Sequence, residues 1–373
     1  MKDECLRKQI ITYMGNKRKL LDVIEYEVNN IKNSINNPIN IFDGFSGSGI
    51  VSRLLKKHAT SLYVNDIEPY SYTINKCYLS NKSDINFNEL NSTIDYLNTR
   101  RFRKDNLGSI SLNYTPNDDN NIKNGERAFF TRENGIIVDN MMSDICNIDI
   151  SKRHLYLAPL IMECSIHNNC GGQFNSFYKK DGVGHWGGKN ENALNRIKSP
   201  IQLNTPIFTP WECNVNILKD DINQVVKTLP QMDITYYDPP YNKHPYGTYY
   251  FMLNVINDWN LNMEVPNNVR GQKNDWKRSR FNSLNSADSA MEELIRDTRS
   301  NYIIMSYNKD GIINEKRLND ILTKYGSVNK KNLTHGTYNR LIGQASFKRE
   351  SKNTKEALKS KENTETLWIL KKK

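Results

Sequence analysis

Apolar residues fall along this chain in two rhythms. Short runs at Ile39-Asn40-Ile41-Phe42, Ser61-Leu62-Tyr63-Val64, Val215-Asn216-Ile217-Leu218, Ile234-Thr235-Tyr236-Tyr237 and Tyr302-Ile303-Ile304-Met305-Ser306-Tyr307-Asn308 predict buried strands. Between them, apolar positions recur at helical spacing: Leu20, Leu21, Ile24, Val28 and Ile31; then Val51, Leu54 and Leu55; then residues 70–79; and later Val225, Val226 and Leu229. Strands alternating with helices predict an α/β fold with a mainly parallel sheet flanked by helices. From about Asn81 to Pro206 the character changes. This stretch is rich in Asn, Lys and Gly, carries polar loops at 116–125 and 171–188, and holds two segments, 136–145 and 154–167, that read as amphipathic helices. The pattern divides the chain into a discontinuous domain, 1–84 with 206–373, and an inserted region, 85–205.

Composition adds a partner class. The 373 residues are 37% hydrophobic, enough for a sizeable core, and 52 Lys and Arg against 41 Asp and Glu leave a net charge of +11 and a pI near 9.1. Such a balance favours a polyanion such as nucleic acid, although a generically basic protein has the same charge. Six cysteines at 5, 77, 146, 164, 170 and 213 form no regular framework, which predicts free thiols in a reducing compartment. The charged start lacks the apolar core of a signal peptide, and the longest apolar stretch, 155–162, is too short to span a bilayer. The expectation is a cytoplasmic protein with no membrane association.

Candidate chemistry sits where strands end. Asp238-Pro239-Pro240-Tyr241 follows the run 234–237, so its carboxylate is expected at the C-terminal end of a strand, where open α/β sheets hold their ligands. Two prolines stiffen the exit and offer no N–H, which makes the Asp238 carboxylate and the Pro239 carbonyl a rigid pair of acceptors beside the Tyr241 ring. Two acceptors and a stacking face suit a planar ring bearing an amino group, such as a flipped-out adenine; a strand-ending turn uses the same residue types. Earlier, Asp43-Gly44-Phe45-Ser46-Gly47-Ser48-Gly49 links a strand to a helix start, a cradle for a nucleotide or cofactor. Its Phe-x-Gly-x-Gly pattern departs from the three-glycine dinucleotide fingerprint. Asp66, about 20 residues on, has the spacing of an acid that meets ribose hydroxyls, and also that of a helix cap. Asp220 or Asp221 stands at a similar strand end, where an acid suits the amino group of a cofactor adenine and equally the N-cap of the helix that follows. The run from His244 through Tyr246 to Tyr250 offers aromatic lining for a base pocket, and Lys277, Arg278 and Arg280 beside Trp276 suit phosphate tracking or a solvated basic loop. Cys164, His167 and Cys170, with His185 downstream, have a spacing that metals use, but at a helix end it fits packing and capping better, and no metal site is expected.

Taken together, Tyr13-x-Gly15-x-Lys17, Phe45-x-Gly47-x-Gly49 and Asp238-Pro239-Pro240-Tyr241 resemble the cofactor and catalytic motifs of DNA adenine methyltransferases. Their order, with a long insert between glycine loop and catalytic tetrapeptide, is similar to the alpha group and to the FokI-type modification methylases. The likeness covers both ends of the chain; Tyr13 stands where many members carry Trp. It implies a Rossmann-like S-adenosylmethionine-dependent methyltransferase sheet, with the inserted region reading DNA. It further implies that Tyr13, Lys17, Asp66 and Asp238 contact S-adenosyl-L-methionine alongside the loop 43–49, with Asp221 as the acidic contact and Asp220 as its alternative. The implied reaction moves a methyl group to N6 of adenine in double-stranded DNA, in a restriction-modification setting that leaves room for a cognate endonuclease. An adenine amine is a poor nucleophile because its lone pair is delocalised, so Asp238 and the Pro239 carbonyl are expected to accept its hydrogens as charge develops. A silent DNA-binding regulator and a methyltransferase acting on RNA or a protein amide remain as the other readings of the same sequence.

Overall fold

The computed structural model describes residues 3–35, 39–103, 107–188, 191–336 and 362–373. Its centre is a seven-stranded sheet. The strands are β1 (Asn40–Asp43), β2 (Ser61–Asn65), β5 (Asn214–Leu218), β6 (Met232–Tyr237), β7 (Ser300–Asn308), β8 (Gly326–Gly336) and β9 (Glu362–Lys372), while β3 (Lys179–Lys180) and β4 (Val183–Gly184) form a separate two-stranded ribbon. The order is β5-β2-β1-β6-β7-β9-β8. The first five run parallel, and β9 pairs antiparallel with both β7 and β8. From β1 the chain winds outward through β2 to β5, and from β6 it winds the other way to β7. A crevice therefore opens between the C-terminal ends of β1 and β6, at the point where the winding reverses.

The five parallel strands correspond to the five apolar runs of the sequence. Alternate side chains serve opposite faces. Phe42, Tyr237, Ile303, Met305 and Trp368 pack against helices Ile222–Thr228, Ala287–Asp297 and Glu315–Thr323. Ile41, Ile234, Tyr236, Ile304 and Leu367 pack against helices Leu21–Ile35 and Ile50–Leu55. Leu21, Ile24, Val28 and Ile31 make the buried stripe of the first of these, as their spacing predicts.

The chain between β2 and β5 is a helical body, and one expectation about it is corrected. Helix His154–His167 is not amphipathic: every residue from Tyr156 to Ser165 is buried. A helix that is apolar all round belongs at the centre of a bundle, and this one packs against helices Pro69–Tyr78, Arg132–Ile145, Leu194–Lys198 and Phe251–Asn257. The body's core also takes in Ile10, Ile11, Tyr70, Tyr250, Met252, Leu253 and Ile256. Residues 85–205 thus share one hydrophobic core with residues before and after them. His167 is occupied by the Arg196 carbonyl, 2.7 Å from Nδ1, and by Glu163, 3.4 Å from Nε2. Among the described residues no group of three or more His, Cys, Asp or Glu side chains is placed to hold a metal ion, and no helix is long and apolar enough to cross a membrane.

Candidate active site

Four adjacent parallel strands each deliver a carboxylate to the same edge. Asp43 ends β1, Asp66 follows β2, Asp220 and Asp221 follow β5, and Asp238 follows β6. Asp66, Asp220, Asp221 and Asp238 line a solvent-open cleft there, and Asp43 lies behind it. Of the residues singled out in the sequence, Tyr13, Gly44, Phe45, Asp66, Asp221, Asp238, Pro240, Tyr246 and Lys277 line it. Asn65, Ile67, Glu68, Asp220, Ser279 and Asn282 line it too, and sequence reasoning did not select them, apart from Asp220 as an alternative.

The glycine loop is shaped from below and clamped from the side. Gly44 N–H donates to the Tyr236 carbonyl at 3.0 Å, which extends the β1–β6 ladder to the rim of the cleft. Gly47 has φ +51°, and a Cβ there would come within 2.7 Å of the Tyr13 ring, so glycine lets that ring lie against the loop. Asp66 accepts from Gly47 N–H at 2.7 Å and from Glu68 N–H at 2.9 Å. One partly buried acid thus fixes the loop to the end of β2. Asn65 ties the next strand in: its side chain exchanges two 3.1 Å hydrogen bonds with the backbone of Asp220. Asp221 caps helix Ile222–Thr228 through Asn223 N–H at 2.9 Å and also lines the cleft. Asp43, one layer behind the lining, accepts from the Ser52 hydroxyl at 2.5 Å. Burial pushes the Asp43 carboxyl up to about 7, against the pull of Ser52, and nearby Asp238 and Asp66 add to the rise.

At the other wall, Lys17 Nζ lies 2.9 Å from Asp238, 2.8 Å from Glu365 and 2.9 Å from the Gly15 carbonyl. Burial would lower the ammonium's pKa, but the two carboxylates outweigh it and hold Lys17 protonated. Burial, aided by Glu365, raises the Asp238 carboxyl above the ordinary carboxylate range, with Lys17 opposing. Pro239 is buried beneath the cleft and Pro240 lines it. The Tyr241 hydroxyl stands near Gly15. Tyr13, Tyr246 and Tyr250 form a nearly parallel ring cluster with centroids 5.0–6.1 Å apart, anchored where Tyr250 accepts from Met14 N–H at 2.7 Å and Tyr246 donates to the Met14 carbonyl at 3.2 Å.

The basic stretch separates into different roles. Lys277 is exposed and borders the cleft, and Arg278 is exposed beyond it. Arg280 is turned to Glu293 at 2.6 Å. Glu68, a cleft carboxylate that no motif announced, is 4% exposed and accepts from Asn254 at 2.7 Å; burial pushes it up to about 7. An acidic residue two places after a strand-end Asp was the available signal.

A mostly parallel sheet flanked by helices, a glycine-rich first turn and acids at successive strand ends give the Rossmann-like methyltransferase fold. Residues 13–321 match the D12 class N6 adenine-specific DNA methyltransferases, and the chain belongs to that family. It is therefore an adenine-specific DNA-methylating enzyme, and it requires a methyl donor. The type II methyltransferase M.NlaIII of Neisseria lactamica is 28% identical over 356 residues, covering 92% of this chain and 96% of that protein. The modification methylase StsI of Streptococcus sanguinis is 28% identical over 97% of this chain, and M.FokI of Planomicrobium okeanokoites 27% over 84%. The chain spans about half the length of these two, 52% and 47%.

Proposed function

We propose that the cleft binds S-adenosyl-L-methionine and that Asp238-Pro239-Pro240-Tyr241 receives an adenine swung out of double-stranded DNA. One observation carries this reading: Asp238 faces the same cleft as Asp66 and Asp221, so an acceptor for an amine shares one space with acids suited to a nucleoside's hydroxyl and amino groups. The cleft lies at the C-terminal ends of the parallel strands, where open α/β sheets hold their ligands, and Gly44 and Phe45 of the glycine loop form part of its wall. Bound there, the cofactor supplies an electrophilic methyl group on a sulfonium. Asp66 binds ribose hydroxyls, Asp221 takes an adenine amino group, and Tyr13, Lys17, Asp43, Gly44, Phe45, Gly47 and Gly49 shape or hold the remainder.

Asp238 and the Pro239 carbonyl accept hydrogens from the target amine, an interaction that strengthens as the nitrogen becomes positive. Tyr241 stacks on the base and fixes its plane, and Tyr246 lines the approach. Lys277 and Arg278 hold backbone phosphate, with Arg280 contributing less because Glu293 already engages it. Residues 85–205 form the target-recognition region. The names of the relatives, modification methylases among them, support a place in a restriction-modification system beside a cognate endonuclease. The test is transfer of labelled methyl groups from S-adenosylmethionine to unmethylated duplex DNA, followed by digestion to nucleosides. Label is expected in N6-methyl-2′-deoxyadenosine; label confined to methylated deoxycytidine, or transfer to RNA alone, overturns the reading.

A further inference from the structure

The ammonium of Lys17 has three donors and three partners, Asp238, Glu365 and the Gly15 carbonyl. Only Asp238 of the two carboxylates faces the cleft. Glu365 comes from β9, where it pairs in register with Asn308 at the far end of β7, and it is 6% exposed. The Ser306 hydroxyl donates to it. Because β9 runs antiparallel, its first residues arrive at the C-terminal edge of the parallel strands. Residue 365 lies outside the span 13–321 that matches the family.

A lone buried Lys–Asp pair is neutral, and the lysine draws charge away from the acceptor that the amine must use. With a second carboxylate on the same ammonium, the three ionised groups sum to one negative charge, and Asp238 is the member open to the cleft. We propose that Glu365 is a positioning residue for methyl transfer, which holds Lys17 from behind and shares its charge so that Asp238 stays fixed in place and basic toward the target amine. This rests on the role given to Asp238 above. The other titratable groups facing the cluster are Asp43 from β1, Tyr236 from β6, Tyr241 from the turn after it and Tyr246 from the following helix. The three phenols are held neutral by burial.

The experiment is the pH profile of single-turnover methyl transfer from S-adenosylmethionine to unmethylated phage DNA, for the full chain and the variants Glu365→Gln and Glu365→Asp. Removing the charge in Glu365→Gln lets Lys17 compensate Asp238 fully. Its acid limb is expected to move down by about one pH unit. The plateau rate is expected to fall roughly 3- to 30-fold, while S-adenosylhomocysteine binding is little changed. Glu365→Asp keeps the charge and is expected to keep the limb near its original position. A Glu365→Gln enzyme with the parent's rate and limb overturns the inference, and so does one that loses rate with the limb unmoved, which is what a purely structural role gives. Where Glu365→Gln does not fold, the Asp variant decides, because a limb displaced by a full unit with the charge present contradicts the proposal. Asp238→Ala run alongside separates the two ideas. Full transfer by Asp238→Ala removes the reading of Asp238 and this inference with it. An inactive Asp238→Ala beside a parent-like Glu365→Gln removes only the latter.

Discussion

The helical body and the C-terminal edge of the sheet both bury carboxylates, and they treat them in opposite ways. In the body, Asp139 is 1% exposed and accepts four hydrogen bonds: Gly108 N–H at 3.0 Å, Ser111 N–H at 2.7 Å, Ile110 N–H at 3.0 Å and the Trp259 indole at 2.7 Å. Its acceptor capacity is consumed in holding the turn at 108–111 against two helices. At the edge, Asp43, Glu68 and Asp238 are desolvated without such a ring of donors, and burial raises all three above the ordinary carboxylate range. The body uses its acid to fold; the edge keeps its acids in a state that an arriving donor improves. Destabilised acids gathered at one rim are what distinguish a site from a core.

Substitution separates these two kinds of acid. Asp139→Ala strands four donors and is expected to cost at least about 4 kcal/mol in urea unfolding, while transfer per folded molecule is preserved. Asp238→Ala reverses that outcome. Transfer should fall roughly 100-fold or more, about 3 kcal/mol at the transition state, with the fold retained because Lys17 keeps Glu365. A destabilised but fully active Asp238→Ala, or a stable Asp139→Ala, breaks the comparison.

Asp66 lies between the two cases, since it serves the loop and borders the cleft. Asp66→Ala should weaken S-adenosylmethionine binding by about 1–3 kcal/mol by calorimetry, and it should speed amide exchange at Gly47, whose N–H it now releases. Unchanged binding with faster exchange would assign it to the loop alone.

Glu68 sharpens the contrast through pH. Its folded value of about 7 exceeds its ordinary 4.5, so the folded state holds the proton more tightly. The stability this contributes is present below 4.5 and is lost as pH rises toward 7. Glu68→Gln should flatten the fall in melting temperature across that window, and an unaltered slope argues that Glu68 is solvated or paired. The smallest effect is expected furthest from the buried acids. Neutralising Lys277 and Arg278 should reduce the salt dependence of DNA binding by about one unit of slope each, with binding weakened on all sequences alike. Loss of sequence preference at unchanged affinity would move these residues from phosphate to base contact.

The parts of this molecule that were legible in its sequence are those that short-range pattern controls. Runs such as 234–237 and 303–307 announce strands because every residue in them is buried, and the glycine loop announces a cradle because Gly44, Gly47 and Gly49 sit between a strand and a helix. Asp66 and Asp238 were legible by their place after strands. Glu365 was not, because its partner Lys17 is remote in sequence and only the antiparallel pairing of β9 with β7 brings them together. Asp139 was hidden for the opposite reason: in the helical rhythm of 136–145 it reads as a solvent-facing polar position, and the donors that bury it come from residues 108–111 and from Trp259. The same rhythm made helix His154–His167 look one-sided, although neighbours surround it.

The pairing of β9 also governs how the protein matures during synthesis. Glu365 follows Lys17 by 348 positions (365 − 17), and β8 has no ladder partner but β9 among the described strands. While a nascent chain is still short of residue 362, the glycine loop and Asp238 have already been made, yet β7 presents an open edge and the Lys17 ammonium lacks one of its two counter-charges. Contacts of such long sequence separation form late, and an uncovered parallel edge invites pairing between chains. Pairing of β9 is accordingly the step that covers the β7 edge and completes the charge around Lys17.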